Sequence, residues 1–165
     1  MRTLVTAADG IGCDLVSEVA RTFGEIRLRV FGTSMAPSIL PGDVLSIRRA
    51  EIGEISVGDV ILYSRNARLF AHRVIRRSGK SGEPGLITRG DRLRHDDPWV
   101  SSTELLGRVI SVGRGSRQVD FSAQNRWWKK PATRLLQTSD HATYLYVRIS
   151  SRLRMRFPGR SECQA

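Results

Sequence analysis

Pro41-Gly42-Asp43-Val44-Leu45-Ser46-Ile47 decides how the rest of the chain is read. A glycine-aspartate turn delivers the backbone into a β-branched run, the pattern of a short strand entered from a tight turn. The punctuation returns at Gly58-Asp59-Val60-Ile61-Leu62-Tyr63, and Gly90-Asp91 follows the run Ala71-His72-Arg73-Val74-Ile75. Short strands at this spacing predict a mainly β fold, a body of coiled antiparallel sheet. Leu105 to Val112 adds one more strand. Ser78 to Gly85, SGKSGEPG, reads as a flexible hairpin loop, and the body is expected to close near Gly113.

Upstream of this body, Ile11, Leu15, Val16, Val19, Ala20 and Phe23 recur at helical spacing, with Asp9 as N-cap and Gly24 just past the end. Glu25 to Phe31 then alternates at period two, a strand with one apolar face, and Gly32-Thr33 turns the chain. Downstream of Gly113 aromatics and cations mix in Trp127-Trp128-Lys129-Lys130-Pro131 and from Tyr144 to Phe157, where helix is favoured over strand. The expected organisation is therefore an amphipathic helix over 1–24, a β body over 25–113 and a basic, helical extension over 114–165.

At 165 residues and 40% hydrophobic content the chain can bury the core of one modest domain. Its charge of +11 is uneven: residues 1–113 carry 16 Lys/Arg against 13 Asp/Glu, and residues 114–165 carry 11 against 3. Cys13 and Cys163 stand far apart with no Cys/His cluster, which argues against a disulfide framework or a zinc site and for a reducing compartment. Asp9 and Asp14 interrupt any apolar leader, and no run of 18 apolar residues exists to cross a bilayer, so the expected location is cytoplasmic, with peripheral attachment at the inner membrane face as an option.

Gly32-Thr33-Ser34-Met35-Ala36-Pro37 is the segment that can carry chemistry. A serine hydroxyl is a poor nucleophile and needs a neighbouring base and oxyanion donors. Gly32 allows backbone to approach a substrate closely, and Pro37 stiffens the exit. On spacing alone Ser34 reads first as a turn serine capping backbone groups, and His72 first as a packed strand histidine.

The run Gly32-Thr33-Ser34-Met35-Ala36-Pro37-Ser38-Ile39-Leu40-Pro41-Gly42-Asp43 resembles the nucleophile box of signal peptidase I and of the self-cleaving SOS repressors, G-x-S-M-x-P-x-(apolar)-x-x-G-D. The likeness continues in order. Gly58-Asp59-Val60-Ile61 is similar to the family's second G-D strand, and His72-Arg73-Val74-Ile75 to the H-R-(V/I) box of the archaeal and endoplasmic-reticulum branch. Thr88-Arg89-Gly90-Asp91 with Asp96 and Asp97 resembles that branch's (T/S)-K-G-D-x-x-x-x-D-D box, and Leu106-Gly107-Arg108-Val109 its closing strand.

The resemblance implies a serine endopeptidase with Ser34 as nucleophile and histidine where the bacterial branch uses lysine. The chain has no lysine between residues 35 and 79, and an arginine does not release its proton, which leaves His72 as general base. Free imidazole, titrating near pH 6.5, can take and return a proton at neutral pH. Asp97 and Asp91 are the candidates for orienting it, Asp97 first, with Asp96 third. Gly32, Thr33, Met35 and Pro37 line the expected oxyanion and substrate site. The Ser34 amide is one oxyanion donor, and the Thr33 hydroxyl or a further amide the other. A peptide substrate would add as a β-strand, with small residues such as alanine before the cleaved bond.

No metal or cofactor is called for: His95 beside Asp96 and Asp97 has no second histidine in ligand spacing. The basic tail suits an anionic membrane surface, or equally a solvated helix packed on the body. Nucleic acid is disfavoured, because residues 1–30 are too short for a helix-turn-helix domain. Two other readings stay open from sequence: a noncatalytic peptide-binding relative, and a self-cleaving nucleic-acid-binding regulator.

Overall fold

The computed structural model describes residues 4–5, 10–80 and 82–121. The expected Asp9 cap and the tail beyond Phe121, with its proposed helix, lie outside the described residues. The chain runs β1 (Leu4–Val5), α1 (Gly10–Phe23), β2 (Glu25–Arg29), β3 (Val44–Arg48), a short 3-10 turn (Ile52–Glu54), β4 (Val60–Arg65), β5 (Arg68–Lys80), β6 (Glu83–Arg89), β7 (Leu105–Arg114) and β8 (Arg117–Asp120). The protein is mainly β, as the turn punctuation requires.

Helix α1 buries Val16 and Ala20, four residues apart on one face. Leu15 and Phe23, which the periodicity assigned to the same stripe, are instead 59% and 74% exposed, because only the narrow Val16–Ala20 ridge meets the sheet. Gly24 ends the helix at φ +71°, its N–H donating to the Ala20 carbonyl at 3.3 Å, a left-handed closure that favours glycine. The chain then enters β2, where Ile26 and Leu28 point into the core and Glu25 and Arg29 to solvent.

The strands form one sheet in the order β1-β2-β3-β7-β4-β5-β6, antiparallel throughout except for the β1/β2 pair. β7 is its hub: Val44–Arg48 pairs along one stretch of it, and β4 and β8 follow one another along it. Gly107 sits where β7 crosses β3, and a Cβ there would stand 2.4 Å from the Arg48 carbonyl. The sheet therefore does not stop at Gly113. A further hairpin brings β8 back onto β7, with Val112 opposite Val119, so the first residues of the expected basic extension belong to the body. Ser78 to Gly85 is no flexible loop either: β5 and β6 stay paired out to Lys80 and Glu83, and Trp99 packs on Gly85 while its indole N–H donates to the Ser78 carbonyl.

Two apolar clusters fill the body. Val16, Ile26, Leu28, Met35, Ile39, Leu45 and Leu62 are in the first, and Ile55, Ile61, Tyr63, Val74, Leu86 and Val100 in the second. The glycine-aspartate turns are built alike. Asp43 accepts the Leu40 N–H at 2.8 Å and Asp59 the Ser56 N–H at 2.9 Å, each carboxylate reaching back three residues to hold its turn. Both are buried, and both draw an arginine from β7: Arg114 on Asp43 at 2.8 Å and Arg108 on Asp59 at 3.6 Å. A carboxylate taken from water needs such partners. Glu104 repeats the device, accepting the Ser101 N–H and the Arg65 guanidinium.

Candidate active site

The turn after β2 presents Ser34 because the residues behind it are anchored. Met35, Ala36 and Ile39 are buried, the Ala36 N–H donates to the Thr33 carbonyl at 3.0 Å, and the Ile39 N–H to the Met35 carbonyl at 3.0 Å. Ala36–Pro37 is a cis peptide. Since the Thr33 carbonyl is taken from behind, the Ser34 N–H on the other side of that peptide faces away, and it has no acceptor among the described residues. The segment after β6 clamps the turn from outside: the Arg92 N–H donates to the Ser34 carbonyl at 2.9 Å and its guanidinium to the Thr33 hydroxyl at 2.9 Å.

His72 lies on β5 opposite Ile61 of β4, which fixes its backbone. Its ring is buried beside the stacked rings of Tyr63 and Phe70, at centroid distances of 6.3 and 6.0 Å. The Nε2 atom stands 2.9 Å from the Ser34 hydroxyl and Nδ1 stands 2.7 Å from Asp97 Oδ2. An ionised carboxylate only accepts, so Nδ1 carries the proton and Nε2 presents its lone pair to the serine. Burial alone would raise the Asp97 carboxyl, but hydrogen bonds from His72 and Thr88 outweigh it and hold Asp97 below the usual carboxylate range. Burial also pushes the Tyr63 phenol up to about 12, so the phenol beside this carboxylate stays protonated.

Asp91, the other expected orienting residue, is turned elsewhere. Its two oxygens take the Arg73 guanidinium at 2.7 Å each, and Ser38 donates to it as well. Arg73 also reaches the Gly58 carbonyl at 2.8 Å. This buried group ties the turn that carries Ser34 and Ser38, β5 and the second glycine-aspartate turn together. Asp96 pairs with Arg89 near the surface at 3.3 Å, and His95 is exposed. No cluster of metal-ligating side chains exists among the described residues.

In front of Ser34 and His72 opens a cleft of about 340 Å³, its floor made by Leu28, Met35, Ile39 and Leu62 and one wall by Leu69 and Ala71. Gly32 lies at its rim, with open space where a Cβ would stand, and Met35 is 3% exposed beneath it. Thr33 and Pro37, expected to line the substrate site, are half-buried and do not line this cleft.

No protein-family model matches the chain. Among curated proteins it is similar to the signal peptidase complex catalytic subunit SEC11 of Neurospora crassa, 35% identical over 97 residues, 56% of each chain. The subunit of the same name from Chaetomium globosum is 33% identical over 89 residues, covering 51% of this chain and 52% of that one. That of Pyricularia oryzae is 25% identical over 114 residues, covering 62% and 66%. These similarities support kinship with the signal peptidase I superfamily. The chain spans between about half and two thirds of the length of these relatives.

No helix among the described residues is long and apolar enough to cross a membrane. Neither the fold nor the relatives support the cytoplasmic location expected from sequence. Two residues at the site were invisible to motif reading. Thr88 donates its hydroxyl to Asp97 Oδ2 at 2.6 Å, and Tyr63 stacks on Phe70 at 5.3 Å with its edge toward His72. Thr88 stands in the sequence only as the first residue of the box that runs to Asp97, which marks its position but not its contact. Tyr63 had no signal beyond a polar tip at the end of an apolar run.

Proposed function

We propose that the chain is a serine endopeptidase of signal peptidase type that cuts a leader or signal-like segment, with Ser34 as nucleophile, His72 as general base and Asp97 as the carboxylate that orients it. The observation that carries the reading is the unbroken relay from the Ser34 hydroxyl through both ring nitrogens of His72 to Asp97, opening on an apolar cleft.

A peptide laid in the cleft as an added strand brings its carbonyl carbon to the Ser34 hydroxyl. As Oγ attacks, its proton passes to His72 Nε2, and Asp97 stabilises the imidazolium through Nδ1–H. The Ser34 N–H is placed to donate to the oxygen that becomes negative. Collapse of the tetrahedral species breaks the C–N bond as Nε2 returns the proton to the departing amine. Water then repeats the sequence on the acyl-serine, with His72 again taking and returning a proton. The apolar floor favours small or aliphatic residues on the acyl side, and β2 through β8 act as one catalytic unit.

The test is cleavage of leader-type peptides with small residues before the scissile bond, read by mass spectrometry. The wild-type chain is expected to release both fragments and Ser34→Ala neither. Intact peptides with both proteins, together with tight peptide binding, would turn the reading to a noncatalytic peptide-binding module.

A further inference from the structure

Thr88 holds Asp97 at two points although nine positions separate them. The Asp97 N–H donates to the Thr88 carbonyl at 2.8 Å, and the Thr88 hydroxyl donates to Asp97 Oδ2 at 2.6 Å. That same oxygen receives His72 Nδ1 at 2.7 Å, so two donors converge on one atom from different strands. Thr88 is fully buried on β6, and its backbone pairs with Val74 of β5, two residues beyond His72. Asp97, by contrast, sits in an irregular connection with no strand of its own to fix it. Thr88 thus transfers the rigidity of the β5/β6 pairing to a carboxylate carried on a loop.

From this geometry we infer that Thr88 is a positioning residue for the peptidase reaction, its hydroxyl locking the Asp97 carboxylate in the orientation that keeps the His72 proton on Nδ1. The inference rests on the reading under Proposed function. Without the hydroxyl, Oδ2 keeps only the His72 donor, and the carboxylate can swing on its side-chain torsions. His72 then loses the tautomeric bias that aims the Nε2 lone pair at Ser34. Substrate affinity is untouched, because Thr88 lies behind the relay and is absent from the cleft lining.

The test uses a fluorophosphonate probe whose saturation kinetics separate the first-order inactivation rate from the apparent binding constant. Thr88→Val, which keeps the shape and loses the donor, is expected to lower the inactivation rate roughly tenfold to a hundredfold, the range carried by a hydrogen bond to a charged group, with the binding constant unchanged. Thr88→Ser is expected to recover most of the rate, which a merely steric role for the threonine methyl would not do. An independent readout is the low-field proton resonance of His72 Nδ1–H, sharp in wild type and in Thr88→Ser, broadened or lost in Thr88→Val. If Thr88→Val fails to fold, Thr88→Ala takes its place with the same expectations. A wild-type rate and a wild-type resonance in the valine or alanine variant would overturn the positioning role while leaving the peptidase reading intact. A wild-type chain that the probe never labels would instead sink the peptidase reading itself.

Discussion

Gly90→Ala should both loosen the fold and slow the reaction of Ser34, although it adds only a single uncharged methyl. The glycine does not occupy the left-handed region, so alanine meets no backbone objection, and the effect is purely one of space. A Cβ there would lie 2.7 Å from the Ser34 carbonyl oxygen and 3.0 Å from two atoms of Leu93. Leucine can swing away, but the carbonyl belongs to the backbone of the Ser34 turn. Relief to ordinary van der Waals separation asks for a shift of about 0.7 Å or more, the scale on which a radial change already alters contact energies. That shift strains the Arg92 N–H bond to the same oxygen, now 2.9 Å, and moves Ser34 Oγ from its place 2.9 Å from His72. Overpacking of this kind costs about 1–3 kcal/mol, and a displaced reacting atom costs up to about 100-fold in rate. Urea denaturation reads the first and the fluorophosphonate inactivation rate reads the second. A Gly90→Ala protein as stable and as reactive as wild type would refute the claim that segment 90–93 braces the nucleophile.

Other consequences follow from the same geometry. Asp97→Asn keeps the shape of the relay but cannot hold the imidazolium, and is expected to leave a reduced remnant of peptide cleavage, whereas His72→Ala removes it with the chain still folded by circular dichroism. Asp91→Ala strands the buried Arg73 guanidinium and should cost about 3–5 kcal/mol in denaturant titration, a stability effect far larger than that of Asp97→Asn. Glu104 is held below the usual carboxylate range by the Arg65 hydrogen bonds, with burial opposing. Because the folded form has the lower value, its contribution is complete above the ordinary carboxylate range and fades as pH falls through the folded value. The stability gap between wild type and Glu104→Gln, at most about 1 kcal/mol for a pair this exposed, should therefore be widest near neutrality and shrink in acid.

Much of this fold is written in local chemistry. Gly24, the turns at Asp43 and Asp59, and the strands they introduce depend on residues within three or four positions of one another, so the linear pattern carries them. The same locality explains the misses. Leu15 and Phe23 obey helical periodicity, yet exposure depends on how wide a ridge the sheet offers, which no helix encodes by itself. The hairpin from Ser78 to Gly85 is rich in glycine and serine, but Trp99, brought back from beyond Asp97, packs on Gly85 and stiffens it. At the site, Ser34 and His72 stood out as candidates because their boxes fall in order along the chain. Asp97 was preferred over Asp91 only narrowly, since what separates them is Arg73, whose guanidinium claims Asp91 from the adjacent position on β5. Thr88 and Tyr63 act across strands, and nothing in the sequence around them announces a neighbour so far away.

Mapping the covalent adduct after fluorophosphonate treatment tests the whole account most directly. Digestion and mass spectrometry should place a single organophosphoryl group on Ser34, with none on the His72→Ala protein under the same exposure. An adduct on another residue, or equal labelling of Ser34 when the imidazole is gone, would contradict it.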